Sequence, residues 1–419
     1  NTARITPYRL QFRTDEVTTQ MDNTLLFEGL DNLAGNPEPG FSPPPAGILM
    51  KATVKDLLED YQMEGGMRFP TSFNGAEYFF VFDNKKKRLD QRFAFYTKNL
   101  RYNDPPVFNV PRRRETNILL GQYGLRYPLD VFQSLRATAT VRRDRVLQMA
   151  TDQTTLNIPA ASQQRIGLRL EYVFDNTVET ALNMRNGARM RVMGEVMKKF
   201  SFKEEGQKGF SFQDGYMGIL GLDARYYQPV LKHSILAARL AGMTSFGSEK
   251  ILYYLGGVDN WLFPENNETI DAPQGNFAFQ TLAANLRGFP INVRNGNSYL
   301  LLNAEMRVPV FRYLSKRLNS GFLRNFQVVG FFDVGTAWAG SDPFREDNPL
   351  NTTVFKEGEE GKEFIFITLN YFRDPIVAGY GLGARALLFG YFVRVDYAWG
   401  LETRQIQDPK LYISLGFDF

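Results

Sequence analysis

The chain has 419 residues, with 49 Lys+Arg against 45 Asp+Glu and no Cys. A net charge of +4 is too balanced to point to nucleic acid, and the lack of Cys rules out disulfides and thiolate metal sites. Mean hydropathy is −0.31 and no apolar run is long enough for a membrane helix, yet alternating strands of about 9–11 residues cross membranes at such an average. The sequence starts at Asn1 with neither an initiator Met nor a signal peptide, as a mature protein or a piece of a longer one would.

In chain order, residues 1–46 are the least regular. Ile5 to Phe12 and Thr18 to Phe27 each have room for a strand, and Gly35 to Pro45 is a Gly/Pro-rich loop. From Gly47 the pattern is monotonous. Strands are predicted near 47–58, 61–70, 77–84, 88–98, 116–127, 131–149, 163–175, 187–200, 210–226, 231–246, 298–309, 325–338, 378–388, 390–400 and 411–419. Several exceed the usual strand of about 5–6 residues. Long helical patterns are scarce, and no repeat suggests a propeller or solenoid. Faces agree from strand to strand. Ile166, Leu168, Leu170, Tyr172 and Phe174 oppose Arg165, Arg169 and Glu171; Leu411, Ile413, Leu415, Phe417 and Phe419 oppose Tyr412, Ser414 and Asp418.

A soluble sheet with one wet face is the plain alternative. About fifteen long antiparallel strands would, however, leave exposed edges or split into sandwiches. Connection lengths favour closure. Links at 59–60, 84–87, 128–130, 226–231 and 389–390 are short; those at 71–76, 99–115, 150–162, 247–297, 339–377 and 401–410 are mostly longer, and the two sets alternate as in outer-membrane barrels. The expected fold is all-β, a transmembrane antiparallel barrel of sixteen strands. That count needs one further strand within residues 1–46, which would also hold the first outer loop, with the barrel proper at 47–419.

The most informative stretch runs from Tyr254 to Val310. Leu300, Leu302, Ala304, Met306 and Val308 face one way, and Asn303, Glu305 and Arg307 the other. The loop before this strand, 247–297, has about 50 residues, and loops of that length are either disordered or folded. It carries Leu286-Arg287-Gly288-Phe289. An enclosed guanidinium must be paired, and Arg pairs bidentately with carboxylates. Glu305 and Asp333 point to the enclosed face and are its candidate partners. Gly288 permits a turn that a Cβ would obstruct, and Phe289 can pack against inward groups such as Phe331. The loop would then fold into the barrel lumen; the alternative leaves Arg287 on a solvated outer loop.

Other candidates have plainer readings. His233, the only His, sits at a strand start and lacks metal-binding partners. Gly379, Gly381 and Gly383 lie within a strand, so they are no dinucleotide fingerprint and instead make room in the lumen or bend the strand. Lumen arginines, among them Arg165, Arg189, Arg385 and Arg394, alternate with Glu171, Glu195, Asp223 and Asp396 as a charge-paired lining. The acidic stretch Asp342 to Glu363 lacks EF-hand spacing and suits a solvated or lipopolysaccharide-facing loop. No nucleophile–base set, phosphate loop or paired-carboxylate site is present, so neither enzymatic activity, metal nor cofactor is expected.

The last 190 or so residues resemble the C-terminal barrel of the outer-membrane assembly and translocation superfamily of BamA, TamA and the two-partner secretion transporters, the bacterial surface antigen family. The matching pieces are Leu255-Gly256-Gly257, then Leu286-Arg287-Gly288-Phe289, which matches the motif of that family's sixth outer loop, then Asn303 to Pro309. After these come Gly330 to Trp338 with Asp333 and Gly335, Gly379 to Gly383 with Arg385, Arg394 to Ala398, and the final Phe419, similar to the terminal assembly signal of outer-membrane proteins. Two features depart from the pattern: about 30 residues separate Gly257 from Arg287, and residues 1–46 are too short for a periplasmic POTRA domain. The resemblance implies a Gram-negative outer-membrane location among lipids and lipopolysaccharide. It also implies polypeptide clients, with periplasmic or lipoprotein partners, handled through a weak seam between the first and last strands. The alternative is a non-translocating anchor or pedestal for a periplasmic domain or partner.

Overall fold

The computed structural model describes residues 10–22, 34–35, 47–71, 75–107, 110–149, 159–203, 209–283, 285–315, 319–345, 350, 352–359, 362–370 and 373–419. The readings of Ile5 to Phe12, Gly35 to Pro45 and the link 150–162 fall largely outside them. Among the described residues no helix is long and apolar enough to cross a membrane, and the two helices, Val310–Leu314 and Gly321–Asn325, have five residues each.

Among the described residues, nineteen strands belong to one sheet. Three of them, Val178–Ala181, Gly209–Phe212 and Gln405–Ile406, are two to four residues long, and sixteen remain. These are β1 (Phe12–Asp22), β2 (Gly47–Asp56), β3 (Tyr61–Pro70), β4 (Ala76–Asn84), β5 (Asp90–Val107), β6 (Val110–Pro128), β7 (Gln133–Met149) and β8 (Ala161–Asp175). They continue as β9 (Met184–Lys203), β10 (Met217–Pro229), β11 (Ile235–Gly247), β12 (Ser298–Val308), β13 (Gln327–Trp338), β14 (Val377–Leu388), β15 (Tyr391–Glu402) and β16 (Lys410–Leu415).

The chain divides into two compact units, with β8 and β9 contributing to both. In the first, β2 to β7 form an antiparallel meander in which each strand pairs with the next. β1 pairs with β2, and Asp15 sits 2.8 Å from Lys55 across that pair. Short turns are held by acidic side chains. Asp56 accepts from the Tyr61 amide at 2.7 Å, and Asp130 accepts from the amides of Phe132 and Gln133. Buried charges sit directly opposite one another: Arg68, Glu77 and Lys98 form one row, with Lys98 2.9 Å from Glu77.

In the second unit β10 to β16 form another antiparallel meander. Its polarity is reversed relative to a soluble sheet. In β12, Leu300 and Leu302 are 48% and 46% exposed, while Asn303, Glu305 and Arg307 are at most 2% exposed. An exposed aliphatic row over a buried charged row suits a sheet whose outer solvent is hydrocarbon.

Three expectations meet differences, and the loop 247–297 is folded, as its length allowed. The link expected at 99–115 is a continuation of β5 and β6, paired out to Val107 and Val110. Here Arg101 pairs with Glu115, so polar residues end the alternation without ending the ladder. The acidic stretch after Gly340 contains an antiparallel hairpin, Thr352–Glu359 with Lys362–Asn370. The loop 247–297 has its own sheet: Lys250–Leu255 runs parallel to Phe277–Leu282 and antiparallel to Arg294–Gly296, and Phe277–Leu282 also pairs with Ala34–Gly35. Finally, the strand expected over 411–419 stops at Leu415, because Gly416 takes φ +99°. Phe419 consequently leaves the exposed face of Leu411 and packs beside Met184, Tyr227, Ile235 and Ala237.

The exposed aliphatic rows give a direct expectation. Leu302→Arg should lower folding stability in bilayers by roughly 2–4 kcal/mol, and Leu302→Ala by much less. Urea titration of vesicle-folded protein, read by tryptophan fluorescence, checks this.

Candidate functional site

Strand register builds the site. Asn303, Asp333, Gly379 and Gly400 are consecutive partners across β12, β13, β14 and β15, forming one row on the buried face. The next row contains Glu305, Phe331, Gly381 and Ala398. Each row alternates bulk or charge with small residues, leaving a trough.

Arg287 lies in that trough. Its Nε and Nη2 donate to the two oxygens of Asp333 at 2.7 and 2.8 Å, and its Nη1 donates to Glu305 at 2.8 Å. Its own backbone amide also donates to Asp333, at 3.1 Å. Asn303 gives Asp333 a further bond at 2.7 Å, and Arg307 gives Glu305 one at 2.9 Å. Two guanidinium groups therefore meet two carboxylates. The Arg287 guanidinium also lies 3.7 Å from the centre of the Phe331 ring, a cation–π contact. Burial works against the Arg287 charge, but Asp333 and Glu305 outweigh it and hold its pKa well above the usual value.

The turn after Arg287 fits because its floor has no side chains. Gly288 takes φ +96° against the backbone of Trp399 and Gly400. A Cβ on Gly379 would collide with the Arg287 carbonyl, and one on Gly400 would lie 2.6 Å from the Phe289 ring. The Tyr412 hydroxyl then fastens the turn to β16. It accepts from the Gly288 amide at 2.9 Å and donates to the Phe289 carbonyl at 2.8 Å. Leu286, on the near side of Arg287, pairs with Gly257 in an isolated bridge and is fully buried. The structure thus brings Leu286, Arg287, Gly288, Phe289, Glu305 and Asp333 together.

The remaining glycines are spread around this centre. Gly335 abuts Leu255 and Leu301; Gly381 makes room for the Phe331 ring; Gly383 makes room for the Asp396 carboxylate. Asp396 belongs to a second buried network. Arg385 pairs with Asp396 and Asp418, each at 2.8 Å, and Arg394 pairs with Asp259 of the loop at 2.8 Å. Asp418 also takes a 2.8 Å bond from Asn183, which draws the last residues inward. The carbonyl of Phe419 accepts from Arg307 at 3.0 Å, tying the chain end to the guanidinium beside Arg287. His233 lies apart from both networks, its amide donating to the Tyr313 hydroxyl at 3.0 Å. Among the described residues no His or acidic cluster could hold a metal ion. Sequence reasoning missed Gly400, and it placed Asn303, Tyr412 and Asp418 on a face without giving them these contacts. Their alternation assigned the face; their contacts required the register.

No family model and no curated protein matches the sequence. Among solved structures, BamA from Haemophilus ducreyi lacking POTRA domains 1-3 is similar at TM-score 0.50 and 11% identity, over 90% of this chain and 68% of that one. CdiB from Acinetobacter baumannii gives TM-score 0.47 at 11% identity, over 98% of this chain and 60% of that one. CdiB from Escherichia coli gives 0.46 at 11% identity, over 96% and 67%. At such identity the likeness to BamA shows the fold alone, that of an antiparallel outer-membrane β-barrel.

Removing Arg287 leaves two buried carboxylates with one cation between them. Arg287→Ala is expected to destabilise the docked loop by about 3–5 kcal/mol. Gly379→Ala should release the same loop sterically, with all four charges retained. Hydrogen exchange over residues 250–297 checks both, with protection falling there while the amides of β12 and β13 stay protected.

Proposed function

We propose that this chain is an outer-membrane barrel that handles polypeptides, assisting their insertion or translocation through a weak seam between its first and last strands. The observation that carries this reading is the shortness of β16. It has six residues, Lys410–Leu415, and it stops before Gly416, which takes φ +99°. A last strand of six residues can ladder a first strand of eleven, β1, over only part of its length, and unpaired backbone groups template an incoming strand. The BamA-like fold supports the same reading by analogy, since a fold hosts many functions.

In this reading the exposed aliphatic rows face outer-membrane lipid and the longer loops face lipopolysaccharide. Clients are polypeptides in extended conformation, delivered with the help of periplasmic or lipoprotein partners. The docked loop keeps the lumen filled, so a simple diffusion pore is not favoured. The chemistry is recognition and strand exchange without bond cleavage, and the site needs no cofactor.

One observation favours the pedestal alternative. Arg385, Arg394, Asp396 and Asp418 bind the chain end to β14, β15 and the loop, and so many buried pairs resist opening.

A disulfide engineered across the seam separates the two readings. The chain has no Cys, so the new bridge is the only one. With the bridge oxidised, assembly of a client barrel in reconstituted vesicles is expected to stop, and reduction should restore it. A locked protein that assembles clients at the unlocked rate would exclude a lateral gate and leave the pedestal.

A further inference from the structure

We propose that residues Asn260 to Leu262 occupy, from within the chain, the strand-binding edge of β16, and that an extended polypeptide takes their place when that edge is used. The proposal rests on the polypeptide-handling reading above and names the site and its resident competitor.

The parity of β16 sets the geometry. The Gly416 amide donates to the Phe392 carbonyl at 2.8 Å, and the register pairs Arg394 with Ser414 and Asp396 with Tyr412. Even-numbered residues of this segment thus bond toward β15, and the backbone groups of Ile413 and Leu415 point the other way. The loop takes two of these groups. The Leu262 amide donates to the Ile413 carbonyl at 3.0 Å, and the Leu415 amide donates to the Asn260 carbonyl at 3.4 Å. They flank an antiparallel bridge between Trp261 and Ser414. The loop therefore pairs with β16 as an added strand would.

Side chains fix the register of this pairing. Trp261 is 3% exposed, and its ring centre lies 4.7 Å from that of Tyr412. It belongs to a cluster with Leu252, Val258, Ile291 and Phe331. The slot accordingly takes an aromatic residue from an extended segment whose neighbours offer one amide and one carbonyl. Main-chain bonds tolerate many sequences, and the aromatic slot selects among them. Release of Asn260 to Leu262 leaves the Arg287 ion pairs in place, because those are made with β12 and β13.

The test uses the full chain in lipid vesicles and a fluorescent synthetic peptide matching Gly256 to Asn266. Leu262→Pro removes the amide that donates to Ile413; Trp261→Ala empties the slot. Each should raise peptide affinity about tenfold, the effect expected when a competitor held by two backbone hydrogen bonds is weakened. A photo-crosslinking residue in place of Ile413 should capture the peptide. The double variant Trp261→Cys with Ser414→Cys should exclude the peptide when oxidised and admit it when reduced. Equal binding by the oxidised and reduced forms, no binding by any variant, or binding without capture at position 413 would overturn the proposal. If clients assemble with residues 261 and 414 locked while the seam disulfide stops them, this inference fails alone. If peptide exchange follows the expected pattern but the seam disulfide has no effect on clients, the polypeptide-handling reading fails alone.

Discussion

A guanidinium removed from water must find charge and hydrogen-bond partners for its donors, and much of the second unit is arranged to meet that demand at Arg287. Asp333 supplies both oxygens and Glu305 one more. Those acids need partners in turn, which come from Asn303 and Arg307. Arg307 then reaches the carbonyl of Phe419, so the chain of obligations extends from the loop to the last residue. Such pairing adds little net stability over an apolar filling of the same shape. What it does provide is position, since a bidentate fork accepts few orientations.

The two faces of the sheet follow from the same demand. Every charged residue drawn to the buried face of β12 to β15 forces the alternate position outward, and the outward positions are Leu300, Leu302, Phe332 and Leu382. In water roughly half of each of these strands would face the wrong solvent. The buried polar rows and the exposed apolar rows are therefore one property of the strands.

Much of this was legible in the sequence. Alternation placed Glu305 and Asp333 on the enclosed face, and the need of an enclosed guanidinium for carboxylate partners made them candidates for Arg287. What alternation cannot supply is register, which joins residues far apart in the chain. Gly400 faces Gly379 only once β14 and β15 are aligned, and Tyr412 reaches Gly288 across 124 positions. The end of β16 was misplaced for a different reason. Phe417 and Phe419 keep the period of Leu411, Ile413 and Leu415, so hydropathy continues through a residue where the backbone does not. The hairpin beyond Asn99 was hidden by the opposite effect, a ladder that persists after the hydropathy signal has stopped.

The trough beneath the loop has a consequence for how the chain reaches its final state. Its floor takes one residue from each of four strands, and a slip of one position in any of them turns the whole strand over. A slipped β15 would present Trp399 or Leu401 where Phe289 now rests against Gly400, and a slipped β13 would withdraw Asp333. The loop can settle only on strands that are already in correct register, so its docking comes late and acts as a proofreading step for the sheet beneath it.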